Sequence, residues 1–404
     1  HEDGGFGGSY PDGGAVYVFQ RSQAATNTWD QTAVLSGSQM QAYDYFGYAV
    51  AISGNTIVVG AYGAEGPGME NSAGIAYVYE RHYSFPDHWD EVAVLTPTNP
   101  IIDDAMFGYS VDIEGDIVVV GAPGANTNAG ACFVFGRNVG WDDAWGLVTW
   151  MGLYSPGEYF GLSVAVAGDT IAVGTPGDAG VDDLTPGAGA VYLFQQNLGG
   201  ADNWGSLDIV RSQETQAWDG FGTDVALSGG ILVVGAPYED GGTGDPRSDA
   251  GAAYVFYQNQ GGPDAWGQMV ALRASDAQAD DRFAASVSVS DDVIVASTAD
   301  EDGGPGDPLS SSGAAYVFQR NQGGAEAWGQ VRTLRAIDAQ ENGWFGISAA
   351  VDGNTILVGA HGRDGELTNE GAAYVFTLQA NWVPEALPLP PEAQAGDLFG
   401  SVAL

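Results

Sequence analysis

The residues of this chain best suited to chemistry are carboxylates in glycine-rich loops. Glu239-Asp240-Gly241-Gly242 is followed by Asp245 and Asp249. The same order returns as Asp300, Glu301-Asp302-Gly303-Gly304 and Asp307, and Glu2-Asp3-Gly4-Gly5 is a partial third copy. Carboxylate and carbonyl oxygens on a flexible loop are the ligand set of Ca²⁺, which takes about six to eight oxygens at ~2.3–2.6 Å. On that chemistry Asp240, Asp245, Asp249, Asp300, Asp302, Asp307 and Asp3 are candidate metal ligands, with Asp276, Asp280 and Asp281 in a neighbouring loop. The same motif also reads as a solvated turn whose charge hydrates the surface. Trp218 and Trp344 fall outside the regular tryptophan series described below and are the candidates for ligand contact.

Catalytic signatures are scarce. The chain has no GxSxG elbow, no HExxH helix and no phosphate-cradling loop. With 52 carboxylates, no one pair is marked out for glycoside hydrolysis. A non-catalytic role is therefore the expectation, with a polysaccharide-active enzyme as the alternative. The net charge of −41 and the complete absence of Lys argue against nucleic acid and against anionic membrane, both of which need basic patches. No apolar run approaches the ~18 residues of a membrane-spanning helix. The single cysteine, Cys132, forms neither an internal disulfide nor a Cys-rich zinc site. A packed core must hold the chain together.

That core is written as a repeat. Phe followed by a small residue recurs at Phe46, Phe107, Phe160, Phe221, Phe283, Phe345 and Phe399, about every 60 residues. A Gly-Ala-Ala-Tyr-Val-Phe-like segment ends at Phe19, Tyr79, Phe135, Phe194, Phe256, Phe318 and Phe376. A tryptophan follows at Trp29, Trp89, Trp145, Trp204, Trp266, Trp328 and Trp382. Each unit holds four strand-sized segments; in the unit from Phe221 they are FGTDVALS, ILVVGA, AAYVFY and QMVALRA. The first two are joined by Gly54-Asn55, Gly115-Asp116, Gly168-Asp169, Gly229-Gly230 and Gly353-Asn354 in five of the units, pairs that favour two-residue hairpins. Seven such units predict an all-β, seven-bladed β-propeller of four-stranded antiparallel blades. The recurrent Phe is expected in the core, and most of the tryptophans at the seams between blades.

These residues resemble FG-GAP repeats, the units of the integrin α-subunit propeller. Phe107-Gly108 with Gly121-Ala122-Pro123, and Phe221-Gly222 with Gly235-Ala236-Pro237, match both halves of the motif. The unit from Phe283 departs most, with Phe283-Ala284 and Ser297-Thr298-Ala299. Calcium-binding integrin repeats carry a DxDxDG loop between the first two strands, where this chain has only two-residue turns. The short-turn bacterial and archaeal branch is the closer likeness. The resemblance implies one domain over 1–404, with blades at 46–106, 107–159, 160–220, 221–282, 283–344 and 345–398. The seventh blade is split, as 399–404 plus 1–45, and aligned on the fourth unit it lacks its second strand. A longer parent chain is the favoured explanation, and a strand donated by a neighbouring molecule to build a fibre is the alternative.

The integrin-like arrangement also implies that the first strand is innermost. The loops from strand two to three and from blade to blade then share one face, which carries well over half of the carboxylates and only Arg247, Arg282 and Arg363. The expectation is an extracellular or cell-surface structural or adhesive module. Its partner would be a protein, a second copy or a glycan, with calcium as the possible cofactor. A glycan-binding lectin is the further alternative.

Overall fold

The computed structural model describes residues 11–22, 28–65, 72–85, 87–97, 104–153, 155–180, 184–200, 203–214, 216–241, 247–303, 309–365, 368–377, 383–386 and 397–404. Each short apolar run becomes the second strand of a blade. Thr56–Ala61 and Ile231–Ala236 are buried along their whole length, as expected of a β-branched segment covered on both faces. Fully burying a Val or Ile side chain stabilises by about 1.5–3 kcal/mol. These strands are thus the thermodynamic centre of each blade.

Six four-stranded antiparallel meanders follow one another along the chain. In the fourth blade they are Asp224–Ser228, Ile231–Ala236, Ala252–Gln258 and Trp266–Leu272. The first strands of successive blades touch one another, so the first strand is innermost. Between the third and fourth strands the register slips by one residue at the same point, Val78/Tyr79, Val255/Phe256 and Val317/Phe318 among others. Such a bulge increases local twist and bends the outer edge.

The inner strand is a sheet edge, and its free N–H groups face the axis. Side chains of the preceding blade satisfy them. Asp112 Oδ2 accepts from Val166 N at 2.7 Å and Asp224 Oδ2 from Val287 N at 2.8 Å. Ser288 and Ser290 do the same for Val351 N and Gly353 N, at 3.0 and 3.1 Å. Burial, opposed by these bonds, pushes both aspartates up to about 6.

The recurrent Phe packs edge-on against the third strand of its own blade, Phe107 at 5.3 Å from Phe133 and 6.0 Å from Phe135. The glycine beside it is required sterically. Gly108 has φ +88°, and a Cβ there would lie 2.6 Å from the Ile75 carbonyl oxygen.

The expectation of a seventh blade, split between the termini and short of one strand, is corrected: among the described residues there are six blades. The seventh sector holds a two-stranded sheet, Val16–Arg21 with Trp29–Leu35. Phe399 nevertheless occupies the repeat position, 5.9 Å from Tyr17 and 6.4 Å from Phe19, and bridges to Gly371. Residues 401–404 form no ladder. In every complete blade the first strand is held extended by the second. Among the described residues no second strand lies beside 401–404, and Val402 and Leu404 pack instead against Leu357, Ala373 and Val375.

Candidate functional site

The loop face is built around a buried acid in each of three successive blades. In the fourth blade Glu239 follows the second strand and is wholly buried. Its Oε2 accepts from Gly241 N at 2.9 Å, folding the glycine turn over it. Its Oε1 accepts from Arg273 Nη2 at 2.9 Å, and that nitrogen also reaches Glu214 at 2.8 Å. The fifth blade repeats the set: Glu301 accepts from Gly303 N at 2.9 Å and from Arg335 at 2.8 Å, while Arg335 reaches Asp276 at 3.1 Å. In the third blade Arg211 holds Asp178 at 2.9 Å. The Glu of the Glu-Asp-Gly-Gly motif is therefore a structural anchor, with its charge neutralised inside the protein.

The sequence carried a signal for this pairing. Arginine follows the fourth strand at Arg211, Arg273 and Arg335, in the blades whose second strand is followed by Asp178, Glu239 and Glu301. Where the acid is replaced by Ala64 or Ala125, the arginine position holds Thr96 or Gly152.

The predicted metal ligands divide. Asp240 Oδ1 accepts from Asp249 N at 3.1 Å and Asp302 Oδ1 from Ser311 N at 2.9 Å, so each closes its own loop. Asp300 pairs with Arg282 at 3.3 Å, and that guanidinium lies 5.7 Å over the Tyr238 ring. Asp240, Asp249 and Asp280 are brought within electrostatic reach: burial first, then these two neighbours, push the Asp249 carboxyl up. Asp3, Asp245 and Asp307 lie outside the described residues. Among the described residues no three His, Cys, Asp or Glu side chains gather closely enough to hold a metal ion.

A second set of acids stands two residues before the recurrent Phe. Asp44, Asp219 and Asp281 are buried, and each accepts from a backbone N–H three residues earlier, at 2.7, 2.7 and 2.6 Å. Burial is the largest cause that pushes each up to about 6, with the backbone bond opposing it. Nearby acids add to the rise, Glu65 for Asp44, Glu239 and Asp240 for Asp219, and Glu301, Asp302 and Asp276 for Asp281.

Trp218 and Trp344 stand in blade-to-blade loops at positive φ, +72° and +53°, and are 70% and 37% exposed. Their amides donate to Pro186 O and Ser311 O, at 2.9 and 3.1 Å. Bonds across the seam thus hold these rings in strained backbone. They belong to different seams and do not form one site. The regular tryptophans pack as expected: Trp89, Trp204, Trp266 and Trp328 are buried, and Trp328 Nε1 donates to Tyr257 OH of the preceding blade at 2.8 Å.

Sequence reading missed a tyrosine cluster on this face. Tyr45 stacks on Tyr62 at 5.1 Å, and Tyr48 lies 4.6 Å from Tyr62 and 4.9 Å from Tyr109. Tyr48 and Tyr109 hold the same repeat position, two residues after the recurrent Phe, but Tyr45 and Tyr62 come from two others, so the repeat spacing does not join the four.

The FG-GAP repeat model matches the chain at 29–79, 89–135, 154–194, 204–256, 266–318 and 328–376. Five of the matched units open on the strand that begins or precedes a seam and run to the third strand of the next blade, so each spans a blade junction. The chain belongs to the FG-GAP repeat family. FG-GAP propellers are generally protein-binding modules, typical of extracellular or surface proteins. No curated protein matches the chain. Among the described residues no helix is long and apolar enough to cross a membrane.

Proposed function

We propose that this FG-GAP propeller is a non-catalytic extracellular module with a structural or adhesive role, binding a protein partner through its loop face. One observation carries the reading: exposed aromatic rings on that face, Tyr43, Tyr159, Trp218, Tyr238 and Trp344, stand among its carboxylates on loops tied across the seams. Aromatic residues fixed at a rigid surface supply contact area at little entropic cost. The carboxylates favour a cationic partner over an anionic one. Incubation with a panel of soluble polysaccharides, followed by reducing-end release, is expected to give no turnover. Hydrolysis of any of them would replace this reading with the polysaccharide-active enzyme.

Two accessory readings go with it. Calcium at the fourth and fifth blades is supported by the mutual approach of Asp240, Asp249 and Asp280, and is opposed by Arg282 beside them. Asp300 and Asp302 would extend that site. Self-association by strand donation is supported by the two-stranded seventh sector, whose Phe399 already holds the repeat position. Sedimentation over rising concentration tests it, and a single monomeric species throughout would refute it.

A further inference from the structure

The loops joining third to fourth strands lie on the opposite face, and among the five described in the first to fifth blades two depart from the other three. In the third, fourth and fifth blades this loop is polar and has Gly200, Gly262 or Gly324 at its tip. The first and second blades put Phe85 and Trp141 at that same position. Both are bare, 65% and 82% exposed, and neighbouring Tyr83 is 95% exposed. Loop distortion does not account for the change. In the second blade Asp143 N donates to Asn138 Oδ1 at 2.8 Å, as Asp264 N and Glu326 N donate to Asn259 and Asn321 at 2.9 and 3.0 Å. Trp141 therefore stands on the same Asn-closed loop frame, but without the positive φ of +146° to +153° that Gly200, Gly262 and Gly324 adopt at that position. In the first blade the rings are ordered by packing, His82 stacking on Tyr83 at 5.3 Å and lying 5.0 Å from Phe85.

The roots of the two loops meet. Arg137, which ends the third strand of the second blade, pairs with Glu80 of the first at 2.9 Å. The same guanidinium lies 5.1 Å over the Trp145 ring and pairs with Asp116 at 2.9 Å. Arg320 makes a related set between the fourth and fifth blades, its Nε donating to Tyr257 OH at 3.0 Å and its guanidinium pairing with Asp292 and Glu326 at 3.2 and 3.3 Å. At Arg137 the chain thus holds its own guanidinium group with an aromatic face flanked by two carboxylates. The exposed rim displays the same components: Tyr83, Phe85 and Trp141 beside the exposed acids Asp87, Asp142 and Asp143.

We infer that this rim is a docking site for an arginine-rich polypeptide segment, whose guanidinium groups sit over the rings of Phe85 and Trp141 between the loop carboxylates. Cation–π attraction and charge complementarity act in the same direction here. The inference deepens the protein-binding reading but uses the face opposite to Trp218 and Trp344.

The test compares the intact protein with Phe85→Gly/Trp141→Gly, which installs the residue other blades carry and leaves every charge in place. Fluorescein-labelled hexa-arginine is titrated at pH 7.5 in 0.5 M NaCl, where diffuse attraction to an acidic protein is screened. The expected result is a Kd at least about fivefold weaker for the double variant, with Trp218→Ala/Trp344→Ala matching the parent. An unchanged thermal midpoint shows that the fold is intact, and Phe85→Ser/Trp141→Ser serves as the second variant. Equal hexa-arginine binding by parent and rim variants would overturn the inference. So would cellohexaose binding that disappears in the rim variant while hexa-arginine binding does not, which would assign the rings to sugar. Neither outcome bears on the loop face, which the Trp218 and Trp344 variant reports separately.

Discussion

Removing Arg273 tests the reasoning about buried acids most sharply. Glu239 is wholly buried, and Arg273 supplies its charge partner, keeping contact with Glu214 as well. Arg273→Ala leaves a carboxylate with only the Gly241 amide for company. Breaking a buried pair on one side costs about 3–5 kcal/mol. The remaining amide bond and the partial exposure of Arg273 place the expected loss near ~3 kcal/mol. Unfolding entropy scales at about 2.1 cal/mol/K per residue, so a cooperative chain of this length loses roughly 3–4 °C in Tm. Arg282→Ala is the internal control, since both Arg282 and Asp300 are partly solvated and such pairs are worth about 0–1 kcal/mol. Scanning calorimetry and urea midpoints give both values, and hydrogen exchange shows whether the loss is local to the fourth blade. Arg273→Ala/Glu239→Gln should recover much of the loss, because the unpaired charge is gone. If Arg273→Ala and Arg282→Ala shift Tm equally, the pairing is not a structural anchor and the reasoning fails.

Further outcomes follow from the same physics. Asp44, Asp112, Asp219, Asp224 and Asp281 are all pushed up to about 6 by burial, above the unfolded value near 4. The folded state therefore holds more protons in that window, and stability falls as pH rises from about 4 to about 6. Urea midpoints at pH 5 should exceed those at pH 7.5, and the opposite order would refute the assignment. Gly108→Ala meets backbone at 2.6 Å, whereas Gly54, at φ +59°, has open space around it. The first substitution should cost at least ~2 kcal/mol more than Gly54→Ala, measured by denaturant unfolding. Calcium added to chelated protein at constant ionic strength should raise Tm, and Asp240→Asn/Asp249→Asn should abolish the rise; no rise in the parent removes calcium from the account.

Most of the fold was legible because its signals are local and repeated. ILVVGA-type runs, Gly-Asn turns and the Phe-Gly pair each fix one element, and their spacing fixed the blade order. The seventh sector was legible as to which pieces meet, since Phe399 does reach Tyr17 and Phe19. It was misread as to strand count, because an extended segment needs a ladder partner. The candidate site was harder. Glu-Asp-Gly-Gly looks uniformly polar, yet Glu239 points inward to Arg273 while Asp240 closes the loop outside. That difference shows only when the arginine after the fourth strand is compared across blades. The tyrosine cluster joins the equivalent Tyr48 and Tyr109 of successive units to Tyr45 and Tyr62, which the repeat period does not link to them. Phe85 and Trp141 went unread, although both stand four residues before the regular tryptophan, where Gly200, Gly262 and Gly324 stand in other units.

The central claim is that this FG-GAP propeller binds through its loop face without turning its ligand over. One array of extracellular-type proteins and glycans, probed with the intact protein and with Trp218→Ala/Trp344→Ala, tests it directly. The account predicts stable retention on at least one protein ligand, weakened about tenfold or more in the variant, with every arrayed polysaccharide left intact. Retention indifferent to both tryptophans, or cleavage of an arrayed glycan, would contradict it.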